Sequence, residues 1–452
     1  IVPIFHAKNG FSVGQASFTS DDYFGLMDSN EGDMTAALGL DIAVGRMLVS
    51  SLQQAEQMVT KVIDYHDKKS YGRWRNNLVF ISDDIDKDSD ATLQTDLDLL
   101  SNTITTQKPF LNSKKIHTDS YVQETTSGGQ KYPKAKEDFI NSFGQGALVF
   151  NYFGHGGEDG LAGERLFERI DALSLSNQYK YPLFITVTCE FTRFDNPSRP
   201  TAGEQTYWNP FGGAVAMVTT TRQIGQSTGE YFNIKLAANL FPNNSNSYPT
   251  IAEAVRLSKA TSANSGENVV FYIGDPALKL AIPKPKVVLT KINGVPITGT
   301  PDVLQALAYA TLSGEVVDEF NNPMPNYNGE LAVNVYDKEI NRTTLGNDGT
   351  YIGGVLSIMN FTTLGETIFR GNASITNGKF EFGFVVPRDI KIPVGTGKVS
   401  FYAKNNNPLE DQTGHDFSVK IGGLDTNAVA DEKKKKIRIY MNDESFVSGG
   451  IT

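Results

Sequence analysis

The chain has a single cysteine, Cys189, so no intrachain disulfide can form. It has no apolar run approaching the roughly 20 residues that a bilayer-spanning helix needs. A net charge of −10, from 41 basic and 51 acidic residues, excludes the phosphate-neutralising surface of a nucleic-acid binder and disfavours electrostatic docking on anionic lipid. There is no Gly-rich loop carrying Lys-Ser or Lys-Thr to cradle a nucleotide, and no His/Cys cluster with zinc spacing. No internal repeat is visible. No signal peptide opens the chain, which begins Ile-Val-Pro, and we expect an excised or processed part of a longer protein.

What remains is enough for two to four domains at roughly 100–200 residues each. From about 72 to 283 the pattern alternates between strand and helix. Apolar runs at Leu78–Ser82, Ala147–Phe153, Leu183–Thr188 and Ala214–Thr219 read as strands. Leu93, Leu97, Leu100 and Ile104 recur at helical spacing, Phe139, Ile140 and Phe143 give a second apolar face, and Ile251–Ala260 reads as a further helix. Continuous apolar strands joined by helices predict an α/β unit, a mostly parallel sheet covered on both faces. Residues 1–71 read as the end of a preceding α/β subdomain. They include a strand at Leu40–Val44 and a helix at Gln53–His66, with Ala55, Met58, Val59, Val62 and Ile63 on one side.

The texture changes after Pro283. Residues 286–430 alternate with a period of two, as in Leu331/Val333/Val335, Phe380/Phe382/Phe384 and Val399/Phe401/Ala403. Turn clusters such as Asn347-Asp348-Gly349 separate the runs. This predicts an all-β, Ig-like sandwich. Residues 431–452 read as the start of another β segment, in which the lysines at 433–436, a solvated charge run, precede Ile437–Met441.

In a parallel sheet, ligands gather at the carboxyl ends of the strands. His155 in NYFGHGGEDG, Cys189 in PLFITVTCEF and the pair Asp83 and Asp84 in NLVFISDD all fall at such ends. An imidazole beside a thiol lowers its pKa and can protonate a leaving amine, and a carboxylate on the far ring nitrogen fixes the tautomer. Gly156 can offer a backbone N–H to an oxyanion, with the Cys189 N–H as second donor. Blander readings exist for each: an inert buried thiol, a turn histidine, and an aspartate pair serving a turn or helix cap. The other histidines, His6, His66, His117 and His415, read as structural or surface groups.

The segments NYFGHGGEDG and TVTCEFTRFDNP, with DDYFGLMD, LDIAVGR, FDNPSRPTAGE and FYIGDPALKL, resemble the gingipain-like cysteine peptidases over about residues 1–283. The resemblance implies a caspase-like fold and a dyad of His155 and Cys189, with Asp84 rather than Asp83 as the acid. It implies no cofactor for the chemistry, but a structural calcium held by the carbonyl of Phe194 and the carboxylate of Glu204, which otherwise reads as a solvated helix start. Glu230 falls near the family's acidic specificity position, although no basic specificity is assigned to it.

Within the family the match points to a sortase of the type IX secretion system. Such an enzyme cleaves the C-terminal signal of secreted cargo proteins through a thioester and passes the cargo to an amine of an anionic lipopolysaccharide. It is held at the outer-membrane surface of the cell by attachment-complex proteins. The alternatives are a hydrolytic endopeptidase and a non-catalytic scaffold module. No nucleic acid is expected as a partner.

Overall fold

A computed structural model describes residues 3–7, 17–32, 34, 39–260 and 265–428. The segment 431–452, with its lysine run and expected strand, lies outside the described residues. Six strands form the central sheet: β1 Asn77–Ser82, β2 Asn112–His117, β3 Val149–Phe153, β4 Leu183–Thr186, β5 Ala216–Thr220 and β6 Val270–Ile273. Their order is β6-β5-β4-β3-β1-β2, parallel throughout except for the antiparallel edge pair β5/β6. The inner strands are buried along nearly their whole length, which explains their unbroken apolar runs.

Among the described residues, seven α-helices flank the sheet: α1 Leu52–His66, α2 Leu93–Gln107, α3 Pro133–Gln145, α4 Arg169–Ser174, α5 Ala202–Trp208, α6 Gln226–Leu240 and α7 Ile251–Ala260. Leu93, Leu97, Leu100 and Ile104 of α2 join residues of α6 and α7 in one core layer. Phe139 and Phe143 of α3 join α4 and α5 in the other. α3 begins with Pro133 in its first turn, where the missing N–H costs nothing. No described helix is long and apolar enough to cross a membrane.

Two local expectations fail. Leu40–Val44 is not a strand: the amides of Asp41 and Ile42 go to the carbonyl of Gly25, and only Arg46 bridges to Ile273 at the sheet edge. On α1, Val59 and Ile63 are exposed, and the buried stripe is Met58, Lys61 and Tyr65. A lysine belongs there because its ammonium finds two carbonyls, those of Tyr207 at 2.6 Å and Ala214 at 3.1 Å.

After Pro283 the described chain is β-structure. Strands β7 Val287–Ile292, β8 Tyr309–Val316 and β11 Lys379–Val385 pair antiparallel in one sheet. β9 Gly329–Tyr336, β10 Thr367–Ile375, β12 Lys398–Asn406 and β13 Leu409–Asp416 pair antiparallel in a second. The alternating residues Leu331/Val333/Val335, Phe380/Phe382/Phe384 and Val399/Phe401/Ala403 meet in one apolar core shared by both sheets.

This β unit docks on the α/β unit through polar contacts. Arg75 pairs with Asp411 at 2.7 Å, Asn76 donates to the Phe401 carbonyl at 2.9 Å, and Lys398 donates to the Leu111 carbonyl at 2.7 Å. A turn at 345–350 reaches the carboxyl rim of the central sheet. There Asp119 accepts the amides of Gly346 and Asn347 at 2.9 and 2.8 Å, and the Thr350 hydroxyl donates to the Ile85 carbonyl at 2.7 Å.

Candidate active site

The carboxyl ends of β1, β3 and β4 are neighbours in the sheet, so the loops that follow them meet. After β3 the chain turns at Gly154, where a side chain would collide with Asp83 at 2.3 Å. His155 is then held by its main chain. Its N–H donates to Asp83 Oδ2 at 2.8 Å, and its carbonyl accepts the Tyr152 hydroxyl at 2.6 Å and the Ala162 amide at 3.0 Å. The ring is partly exposed, and its Nε2 lies 3.2 Å from Oδ1 of the buried Asp90. The other ring nitrogen, Nδ1, is left for a reacting group.

After β4 the chain reaches Cys189 through Thr188. The Thr188 hydroxyl donates to the Gly154 carbonyl at 2.5 Å, which ties the residue before the cysteine to the residue before the histidine. The Thr220 hydroxyl in turn donates to the Thr188 carbonyl. Glu190 adopts a left-handed φ of 54°, and its amide donates to the Arg222 carbonyl at 3.3 Å, so the turn holding the thiol is braced against the loop after β5. Gly156 packs on Thr188, where a Cβ would sit 2.7 Å from Cγ2. Close approach of the two loops therefore accounts for this glycine, whatever its N–H does.

The half-buried Cys189 thiol makes its hydrogen bond to the Ile224 carbonyl, at 3.9 Å, and not to the imidazole. Burial pushes its pKa up and the nearby Glu190 adds to this, while Lys87 opposes it. In this arrangement the group is a neutral thiol that needs a base.

Asp84 does not orient the imidazole. It accepts the Tyr132 hydroxyl at 2.7 Å, whereas Asp83 accepts the backbone N–H of His155 and Asp90 is the carboxylate that lies beside the ring. Alternation after β1 sends Asp83 and Asp84 to different partners, as their adjacency requires. Asp90 escaped the sequence reading because it lies beyond the strand end, on the short 3₁₀ turn Asp88–Asp90 that brings it back over the rim. The one available signal was the density of aspartates at 83, 84, 86, 88 and 90.

Glu230 lies elsewhere. It lines an apolar groove between α2 and α6 with Asp96, Leu100, Ile104 and Ile234, and burial there, with Asp96 adding, raises its pKa. Glu204 is buried and closes a capping box at the start of α5, with its Oε2 accepting the Thr201 amide at 2.7 Å. Among the described residues, no group of three converging carboxylates includes it. Two such groups surround the loop after β1, Asp83/Asp84/Glu164 and Asp84/Asp86/Asp348, and a third cluster there joins two carboxylates to the imidazole, Asp86/Asp90/His155. His117 is buried between the Ser82 hydroxyl and Asp98, at 2.7 and 3.4 Å, which is a structural placement.

Comparison with known proteins gives the following. Among solved structures the chain is similar to the Arg-specific cysteine proteinase gingipain R (RgpB), with 16% identity and a TM-score of 0.48, covering 88% of this chain and 79% of that one. It is similar to the complex of Porphyromonas gingivalis RgpB pro- and mature domains, with 15% identity and a TM-score of 0.47, covering 88% and 81%. It is also similar to dimeric latent PorU from Porphyromonas gingivalis, with 22% identity and a TM-score of 0.34, covering 99% of this chain but 36% of PorU. No curated protein sequence matches it. The profile of Peptidase family C25 matches residues 1–281 of the 452, and the chain therefore belongs to this family of cysteine peptidases.

Proposed function

We propose that the protein cleaves peptide bonds with Cys189 as nucleophile and His155 as its general base and acid. The observation that carries this reading is the Thr188–Gly154 hydrogen bond, which couples the two loops directly before the two residues. The Cys189 proton passes to Nδ1 of His155, and the sulfur attacks the scissile carbonyl. The imidazolium then protonates the departing amine, and a thioester remains. Asp90 at Nε2 stabilises the imidazolium and fixes the tautomer that offers Nδ1 to the thiol. The Cys189 amide takes no acceptor among the described residues, which supports it as an oxyanion donor; Gly156 is the proposed second donor.

We assign the thioester to transfer rather than to hydrolysis: an amine of an anionic lipopolysaccharide accepts the cargo after its C-terminal signal leaves. Support comes from the resemblance of NYFGHGGEDG and TVTCEFTRFDNP to a type IX sortase. On this reading the protein acts at the outer-membrane surface with attachment-complex partners, and the two-sheet β unit is an Ig-like spacer. Hydrolysis by water is the second reading, since it uses the same dyad. Mass spectrometry of the new cargo C-terminus, with and without an acceptor amine, tests the assignment. An amide adduct is the expected product, and a free carboxylate in both reactions rejects transfer.

A further inference from the structure

Behind the His155 loop, five carboxylates from three separate segments face one another. Oxygens of Asp83, Asp84 and Glu164 lie within 4.8 Å of one another, and so do oxygens of Asp84, Asp86 and Asp348. Asp84 belongs to both sets. Like charges gathered this closely repel strongly unless a proton or a cation sits between them.

Two further observations point to a ligand. Asp83 and Asp84 are each only 1% exposed, yet Asp83 Oδ1 and Asp84 Oδ1 have no hydrogen-bond partner. Buried acceptors left unpaired are costly, and here they belong to groups that converge. In addition, the β unit spends several contacts on delivering Asp348. Gln123 and Gln130 both donate to Asp348 Oδ1, at 2.8 and 3.0 Å, while Asp119 and Thr350 fix the turn on either side. A turn that only needed to dock would not be built to add an acid to an acidic cluster.

We propose that Asp84, Asp86, Glu164 and Asp348, backed by Asp83, bind a single hard divalent cation, Ca²⁺ by its chemistry, that clamps the 345–350 turn of the β unit to the back of the His155 loop. The donors are all carboxylate oxygens on irregular loops. That suits an ion taking six to eight oxygens in flexible geometry better than Mg²⁺, with its strict octahedron, or zinc, with its preference for nitrogen and sulfur. Asp83 also accepts the N–H of His155, so the cation reaches the dyad through one carboxylate.

The test is calorimetric titration of Ca²⁺ into the EDTA-treated full chain, with thermal melts in Ca²⁺, Mg²⁺ and EDTA. The expected result is uptake of one ion and a higher melting temperature in Ca²⁺. Asp348→Asn, on a half-buried turn that tolerates the change, weakens uptake about tenfold or more and removes the rise in melting temperature. Three results overturn the proposal: no uptake, uptake unchanged in both Asp348→Asn and Asp84→Asn, or an Asp84→Asn protein that melts higher than wild type in EDTA while wild type gains nothing from Ca²⁺. The last would mean that protons hold the cluster together.

Discussion

The α/β unit and the β unit bury polar groups in different places. In the α/β unit one set of them gathers at one edge: Ser82, Asp83, Asp84, Asp90, Thr188 and Thr192 are all buried at or just beyond the carboxyl ends of the strands, while others, such as Lys61 and Arg75, lie away from it. In the β unit, the core shared by the two sheets is apolar, and buried polar residues such as Lys398, Ser400 and Gln412 lie on the strands of the sheet that docks on the α/β unit. Burying polar groups costs free energy unless they are paired, so their position separates a surface shaped for chemistry from one shaped for docking. The rim also retains unpaired buried oxygens on Asp83, Asp84 and Asp90.

The comparison breaks first at the rim. His155→Ala is expected to lower kcat/KM by about 10²–10⁴ while leaving the melting temperature within a few degrees, because the ring is partly exposed and its loop is held by backbone contacts. Steady-state kinetics beside thermal melts check this. A variant that keeps near-wild-type turnover places the base elsewhere.

A smaller effect separates the two acids. Asp90→Asn is expected to cut kcat on the order of ten- to a hundredfold with little change in KM, since it acts through the ring. Asp84→Asn, measured at saturating Ca²⁺ so that loss of the ion is not read as loss of the acid, should lower kcat less than Asp90→Asn does, because the Asp84 carboxylate meets Tyr132 and not the ring. The reverse ranking would restore Asp84 as the orienting acid.

The smallest effect belongs to the docking surface. Burial lowers the pKa of Lys398 from 10.5 to about 7. Between these values the unfolded chain binds the proton and the folded chain does not, so this residue makes stability rise with pH across that window. Below pH 7 its penalty is constant. Lys398→Met should flatten the slope of unfolding free energy between pH 7 and 10 without changing kcat, as read from denaturant melts at several pH values. An unchanged slope would mean that the amine remains charged in the folded protein.

Much of this was legible in the sequence because strands buried on both faces announce themselves as apolar runs, and a parallel sheet fixes where they deliver side chains. That rule sufficed to single out His155, Cys189 and the Asp83–Asp84 pair. It did not assign the acids. Which of two adjacent aspartates faces the imidazole depends on loop geometry after β1, and Asp90 returns on a 3₁₀ turn with no pattern of its own. Asn347-Asp348-Gly349 reads as an ordinary turn cluster, and it is a turn, with positive φ at Gly349. That Asp348 meets Asp84 is a fact of docking between units, which local periodicity does not encode. Likewise Lys61 displaced the apolar stripe expected on α1, because two carbonyls distant in sequence were waiting for it.

The central claim is that Cys189 attacks with His155 as its base, although the resting thiol is neutral and bonded to Ile224. The most direct measurement is the rate at which a peptidyl chloromethyl ketone labels the protein, followed by intact mass and peptide mapping, in wild type, His155→Ala and Cys189→Ala. We predict one adduct on Cys189 in wild type, labelling slower by about 10² or more in His155→Ala, and none in Cys189→Ala. Equal labelling rates in wild type and His155→Ala, or turnover of a peptide substrate by Cys189→Ala, would contradict the account.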